Sequence, residues 1–517
     1  MSQRPSLPAE PPLVATSDRT RFQAKAARIS RRQERVRLPA AAVIPIIGGL
    51  LVLVADTQAL ALIPLQGTLV GGYRLTADQA SWTLSATAIA TAASVPVMTR
   101  MGDRYGLRRM LLVSLGIVTF GQLLCSVAHS FTLLVVGRTV LGVSAASALI
   151  YSLIRENSKD SHGVNRAIGV LTSATGVGIA TSFLFGGVIL KLHGTVQTFF
   201  WIVTVLSALV WFLSFLFIQD SPLRAKSSVD WLGGALLGAS VVLLILGAGL
   251  GSVDGWGSAG ALGLFGAAVI GAALWGLWEL RTRAPMIDVR LLSRRTVWPA
   301  VLIVGIVNAL GVYNSLAVSG FVQTPAAAGY GMTATPLMAG VYLLPISIPI
   351  AFGGIVAAPL IRAVGQKRCL VAGTAVIVAD QTWFAFHHST VADIVVGTAV
   401  FGCAYAVTNT AALGVAMTNA RRGEAGVLSS MTSTAITLGL AVGPAVFVAA
   451  LTSGYTRIPG TDVSVPAAQN YQTALLYAGF MGVIVLLAAL LTKIPTFSHT
   501  SSEDVFVLSG TESPPTA

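Results

Sequence analysis

Gly102-Asp103-Arg104-Tyr105-Gly106-Leu107-Arg108-Arg109 lies between two long apolar stretches. The segment packs an acid, a turn-forming glycine and three arginines into a loop too short to fold alone. Charges of this kind cost several kcal/mol inside hydrocarbon, so the loop belongs at a membrane face. There Asp103 can accept from helix-start N–H groups or pair with an arginine, latching neighbouring helices together. A plain loop whose arginines only set orientation is the alternative, and the rest of the chain has to decide between them.

Of the 517 residues, 54% are hydrophobic and 10% charged, with a mean hydropathy of +0.77. A soluble domain carries about 25% charged residues, which excludes a large soluble core. Fourteen apolar spans are expected, each near the ~20 residues that cross hydrocarbon as a helix. They start near Ala40, Ala80, Met110, Phe131, Ala167, Thr198 and Trp231, and then near Ala259, Val297, Pro336, Cys369, Ile394, Ala425 and Ala474. With the N-terminus inside, 29 Lys and Arg fall on cytoplasmic segments and three, Arg74, Lys191 and Arg457, fall outside. The positive-inside rule then places both termini in the cytoplasm. The same asymmetry accounts for the net charge of +13 without nucleic acid as a partner.

Residues 1–38 read as a basic cytoplasmic tail able to rest on anionic lipid, and 494–517 as a disordered tail. Cys125, Cys369 and Cys403 have no metal or disulfide spacing and are expected to be small packed apolar groups. No catalytic constellation, zinc spacing or phosphate-cradling loop is found, so an enzyme, a metal and a cofactor are not expected. Without a nucleotide site, any driving force must be an ion or substrate gradient.

The chain repeats itself. Arg104-Tyr105-Gly106-Leu107-Arg108-Arg109 recurs loosely as Ala363-Val364-Gly365-Gln366-Lys367-Arg368, and Val135-Val136-Gly137 as Val395-Val396-Gly397. Gly169-Val170-Leu171-Thr172-Ser173 recurs as Gly426-Val427-Leu428-Ser429-Ser430, so the three offsets are 259, 260 and 257. An ordered series at nearly one offset marks a parallel repeat of six spans, with a substrate site expected between the halves near the midplane. Residues 39–219 form the first six-helix bundle and 297–493 the second. Residues 220–296 hold two inserted spans, with Trp256 as an interfacial anchor.

Six, two and six spans, with this loop after span 2, resemble the major facilitator superfamily, and the extra pair resembles its fourteen-helix drug:proton antiporter branch. Val229-Asp230-Trp231-Leu232-Gly233 and Ala284-Pro285-Met286-Ile287-Asp288-Val289-Arg290-Leu291-Leu292 are similar to that branch. The resemblance covers about Leu38 to Thr492 and implies an all-α membrane fold. It also implies a conformational latch at Asp103, Arg104, Gly106, Arg108 and Arg109. The family's span-4 arginine followed four residues later by glycine is matched by Arg138 and Gly142; the alternative for Arg138 is a side chain that snorkels to the interface.

The antiporter motif Gly-Pro-x-x-Gly-Gly of span 5 is here Ser182-Phe183-Leu184-Phe185-Gly186-Gly187. The packing glycines Gly186 and Gly187 stay while the helix-bending proline is lost, so span 5 is expected to be straighter. Gly443-Pro444 occurs instead in the repeat-mate helix. In span 1, Thr57 and Pro64 keep the family spacing, but the acid is Asp56, one residue or ~100° round the helix from its family place.

By the same resemblance spans 1, 4, 9 and 12 line the cavity, which makes Gln58, Tyr151, Asn308, Tyr313, Asn314, Tyr405 and Asn409 candidate substrate contacts. Helix–helix hydrogen bonding is the alternative for each. Asp56 either carries the coupling proton or forms a fixed pair with Arg138. Asp380 in span 11 is expected to be structural. The expected function is secondary transport: export of small amphipathic organic compounds in exchange for protons by a monomer in a bacterial inner (plasma) membrane. A lipid or metabolite carrier with different coupling, or a non-transporting scaffold or sensor of the same fold, are the alternatives. In a cysteine-free background, a cysteine replacing Ser258 is expected to react with an impermeant maleimide from outside, and one replacing Ser293 is not. The reverse pattern contradicts the orientation.

Overall fold

The structure is a computed structural model that describes residues 40–73, 75, 77–157, 161–219, 230–255, 257–282, 289–418, 425–451, 455–457 and 464–492. The two expected tails and Trp256 lie outside the described residues.

The first bundle contains α1 (Ala40–Leu60), α2 (Leu62–Tyr73), α3 (Ala77–Tyr105), α4 (Leu107–Ser126), α5 (Phe131–Gly142), α6 (Ala146–Asn157), α7 (Ser161–Lys191) and α8 (Val196–Phe217). The inserted hairpin is α9 (Trp231–Asp254) and α10 (Ala259–Arg281), followed by the short α11 (Val289–Leu292). The second bundle contains α12 (Trp298–Gln323), α13 (Pro336–Val364), α14 (Gln366–Phe386), α15 (Val391–Thr418), α16 (Ala425–Leu451) and α17 (Ala468–Leu491). Between the last two, Tyr455–Arg457 and Ser464–Pro466 pair as an antiparallel ribbon.

Twelve helices among the described residues are long and apolar enough to cross a membrane. The expectation of fourteen is met only to that extent. Spans 2 and 7 form helices of 29 and 24 residues, but their apolar windows are the shorter Trp82–Val95 and Trp231–Leu244.

Local chemistry explains the breaks. Span 1 divides at Ala61 because Pro64 has no N–H to offer the Leu60 carbonyl and its ring crowds that carbonyl. Span 4 divides after Gly142, where the freed Ala145 N–H donates to Ser114 Oγ of α4 at 3.2 Å. The expected loop after span 2 is almost all helix: α3 runs to Tyr105 and α4 starts at Leu107. Only Gly106 turns, with φ +108°, a backbone region that other residues rarely adopt. Span 5 carries no proline and is one uninterrupted helix.

The repeat extends to individual contacts. A Cβ on Gly142 would meet the Thr87 carbonyl at 2.4 Å, and one on Gly402 would meet the Ile346 carbonyl at 2.8 Å. Gly137 packs on Cys125, and Gly397 on Phe384. Gly365 turns with φ +96°, as Gly106 does. Each residue stands 259 or 260 positions before its counterpart. Small residues are what allow backbones to come this close in a membrane, where burial of apolar surface does not draw helices together.

The halves meet along two seams, α7 on α13 and α3 on α16. Backbone approaches backbone in the first: Gly176 faces Ala351, Gly187 faces Leu337, and Gly340 faces the Phe183 carbonyl. Gly443 packs α16 onto the Ala309 carbonyl of α12, with Pro444 next to it inside the helix. Away from the arginine-rich face, one apolar core draws on both halves, from Leu62, Leu65 and Phe183 to Leu316, Phe321 and Tyr471. Ser319 Oγ donates across to the Ile63 carbonyl there, at 3.2 Å. Towards the arginine-rich face each half has a core of its own, one around Leu51, Leu111 and Leu149 and one around Val304, Leu370 and Val415. A further cluster of Ile89, Leu237, Val241, Leu291, Val297, Leu428 and Met431 joins span 2, the inserted hairpin and the second half there, so apolar contact links the bundles on both faces. Cys125 and Cys369 are buried as expected, whereas Cys403 is exposed on α15.

Candidate functional site

Arg138 of α5 is 1% exposed, so it does not snorkel. Its Nε donates to the Thr83 carbonyl at 2.8 Å and its Nη1 to the Gln58 carbonyl at 3.0 Å. Thr87 Oγ1 returns a bond to the Arg138 carbonyl at 3.0 Å. One guanidinium thus ties spans 1, 2 and 4 together through main-chain oxygens. At the repeat position Thr398 Oγ1 reaches the Tyr342 carbonyl at 3.4 Å, the counterpart of the Arg138–Thr83 bond.

Asp56 does not pair with Arg138. It lies two residues before Gln58, about 200° round the helix from the carbonyl that Arg138 grips. Its residue as a whole is half-buried, yet Oδ2 is sealed from solvent and has no hydrogen-bond partner. The carboxylate instead lies within electrostatic range of the phenols of Tyr151 in span 4 and Tyr405 in span 12. Those two helices belong to opposite halves.

In the second half, Tyr405 OH donates to Asn308 Oδ1 at 2.8 Å, and Asn308 Nδ2 donates to Asn409 Oδ1 at 3.1 Å. Asn308 Nδ2 also reaches the Val304 carbonyl at 2.8 Å. Tyr405 lies over Gly311, where a Cβ would meet its ring at 3.1 Å. Of the seven expected cavity residues, Asn308, Tyr405 and Asn409 are joined in this network, and Tyr151 and Tyr405 lie within electrostatic range of Asp56.

Three others are placed differently. Gln58 is buried and donates Nε2 to Ser207 Oγ of span 6 at 2.7 Å, inside the first bundle. Tyr313 is fully buried, donates to the Ala474 carbonyl at 2.7 Å and packs edge-on against Phe447 at 5.2 Å. Asn314 is buried next to it, with neither amide atom hydrogen-bonded. The reason is helical phase: positions 313 and 314 lie about 140° and 240° round the helix from Asn308, while Gly311 and Ser315 share its face.

At the arginine-rich face, Arg108 Nη2 donates to the Phe215 carbonyl at 2.8 Å and stacks over the Phe215 ring, 5.8 Å from its centre. This ties span 3 to the carbonyl end of span 6. Arg104 lies over Tyr105 at 5.4 Å. Asp103 is half-buried at the end of α3, and Arg109 is exposed. Asp230 was not read as a site in the sequence. It caps α9 through the Gly233 N–H at 2.9 Å and accepts from Trp278 Nε1 at 3.0 Å, closing the inserted hairpin. Asp immediately before a long apolar run was the available signal. In span 11, Asp380 is buried and accepts from Gln381 Nε2 at 3.2 Å.

The Major Facilitator Superfamily model matches residues 46–444. The chain belongs to that superfamily. As a member it is a multi-pass membrane transporter and not an enzyme. It is 26% identical over 373 residues to the multidrug resistance protein Stp of Mycobacterium tuberculosis (strain CDC 1551 / Oshkosh), covering 71% of this chain and 68% of that one. It is 25% identical over 406 residues to the multidrug efflux pump LfrA of Mycolicibacterium smegmatis, covering 76% and 77%. Among solved structures it resembles the human organic anion transporter MFSD10, with a TM-score of 0.59 at 17% identity over 88% of this chain and all of that one. At that identity the likeness concerns the fold alone.

Replacing Arg138 by alanine removes the donor shared by two backbone carbonyls in the protein interior. A cost of about 1–3 kcal/mol in stability is expected, visible as a lower Tm of the purified protein, with lysine restoring part of it. An unchanged Tm for the alanine variant would contradict the tie.

Proposed function

We propose that this superfamily member exports small amphipathic organic compounds in exchange for protons, by alternating access across a bacterial plasma membrane. The observation that carries the reading is the Asp56 carboxylate, which is unpaired and lies within electrostatic range of Tyr151 and Tyr405, one from each half. A carboxylate inside a membrane span without a fixed partner is a group able to carry a proton. Water reaching it from alternate sides then loads and unloads that proton. Asn308, Tyr405 and Asn409 supply hydrogen-bonding groups next to aromatic surface, which suits a small polar-headed organic molecule. The likeness to Stp, a multidrug resistance protein, and LfrA, a multidrug efflux pump, supports export of drug-like compounds.

The same reading includes fourteen spans, both termini in the cytoplasm and a monomer as the working unit. The core shared by Leu62, Phe183, Phe321 and Tyr471 then lies on the outer side. The Asp103 to Arg109 segment acts as the latch on the cytoplasmic side. Arg108 ties span 3 to the end of span 6, and the single-residue turn at Gly106 joins span 2 to span 3, so that the three move together.

Replacing Asp56 by asparagine keeps the shape and removes the titrating group. In proteoliposomes, transport driven by an imposed pH gradient is expected to be abolished while counterflow exchange of substrate persists. Gradient-driven transport at the wild-type rate in this variant would make Asp56 structural and remove the reading's support.

A further inference from the structure

Span 5 passes Asp56 at Gly178. A Cβ built on Gly178 would lie 2.9 Å from Asp56 Oδ2, 3.1 Å from Asp56 Cβ and 3.2 Å from Leu53 Cα. The last of these is backbone and cannot move aside. The side of the carboxylate that is sealed and without a partner is the side against Gly178. Nothing on span 5 at this level donates to it. Ser182, one turn further along, gives its hydroxyl to the Gly178 carbonyl within the same helix. Thr57, the neighbour of Asp56, gives its own to the Leu53 carbonyl at 2.8 Å. The surface that Asp56 Oδ2 meets is therefore dry Cα and carbonyl backbone. Among the described residues, Tyr151 of span 4 and Tyr405 of span 12 are the titratable groups within electrostatic range of it. Arg138 of span 4 is committed to the Thr83 and Gln58 carbonyls.

We propose that Gly178 is a positioning residue for Asp56: having no side chain, it lets span 5 close over one carboxylate oxygen, so that the acid exchanges its proton only through the edge facing Tyr151 and Tyr405. Any larger residue at 178 pushes the carboxylate off this wall and into the space between the halves, where both oxygens are hydrated. The inference rests on Asp56 being the coupling acid, but its geometry can be tested without transport.

The full-length protein, purified in detergent, is treated with dicyclohexylcarbodiimide, which modifies protonated carboxyl groups in apolar surroundings. Modification at position 56 is then followed by mass spectrometry across pH. In Gly178→Ala the profile is expected to move by about one pH unit, a tenfold change in proton affinity. In Gly49→Ala it is expected to stay in place. Gly49 lies at the same span 1–span 5 contact, but a Cβ there meets only Ala174 Cβ at 3.5 Å and Val170 Cγ1 at 3.8 Å. Asp56→Glu provides a second arm: one extra methylene carries the carboxyl past Gly178, and the profile is expected to move although Gly178 is intact. An unmoved profile in a folded Gly178→Ala protein overturns the proposal, as does an equal shift in Gly49→Ala. If Gly178→Ala does not fold, an unmoved profile in Asp56→Glu overturns it. A shifted profile combined with wild-type gradient-driven transport in Asp56→Asn would uphold the positioning and reject Asp56 as the coupling acid.

Discussion

An ionised side chain within hydrocarbon has to be given partners or be free to change its charge, and this chain uses each solution once around span 1. Arg138 is the satisfied case. It takes carbonyls from two neighbouring helices and holds spans 1, 2 and 4 in register without an acid. Asp56 is the unsatisfied case, two residues from the carbonyl that Arg138 holds and on another side of the helix. The tie makes the open charge possible. Span 1 is pinned through its backbone, so its acid can remain unpaired without the helix rotating to find a partner.

Close backbone approach is the second requirement. Gly142 on Thr87, Gly176 on Ala351 and Gly443 on Ala309 are contacts that any side chain would push apart. Two of the glycine contacts in the first half, at Gly137 and Gly142, recur in the second at Gly397 and Gly402. The polar partners differ more between halves than the packing does. Where the first half has an arginine tying helices, the second has Thr398. At the repeat position of Asp56 the second half has Ser315, whose hydroxyl goes to the Gly311 carbonyl of its own helix. The frame is symmetric and its polar chemistry is not.

The repeat, the membrane fold and the turn at Gly106 were legible in the sequence because each depends on composition or on local backbone geometry. Gly106 and Gly365 are needed for a positive φ, and that need shows in the letters. The facing of individual side chains was less legible. Gln58 and Tyr313 lie in the expected cavity helices but turn into their own bundles, towards Ser207 and the Ala474 carbonyl. Helix rotation is set by which neighbours pack where, and in spans apolar on every side no periodicity marks the inner face. The fixed Asp56–Arg138 pair, one of the two readings of Asp56, is not formed, for a related reason. Sequence can pair an acid with a base, but it gives no sign that two backbone carbonyls will reach the base first. Gly178 went unread because a glycine among many small residues carries no mark of the carboxylate it faces.

The central claim is that the open carboxylate of Asp56 is the group through which protons and substrate exchange. Proton release on substrate addition, followed with a pH indicator in weakly buffered, purified protein, tests it most directly. The account predicts release by the wild-type protein and by Asp103→Asn and Asp380→Asn, and none by Asp56→Asn at saturating substrate. Undiminished release from Asp56→Asn would contradict it.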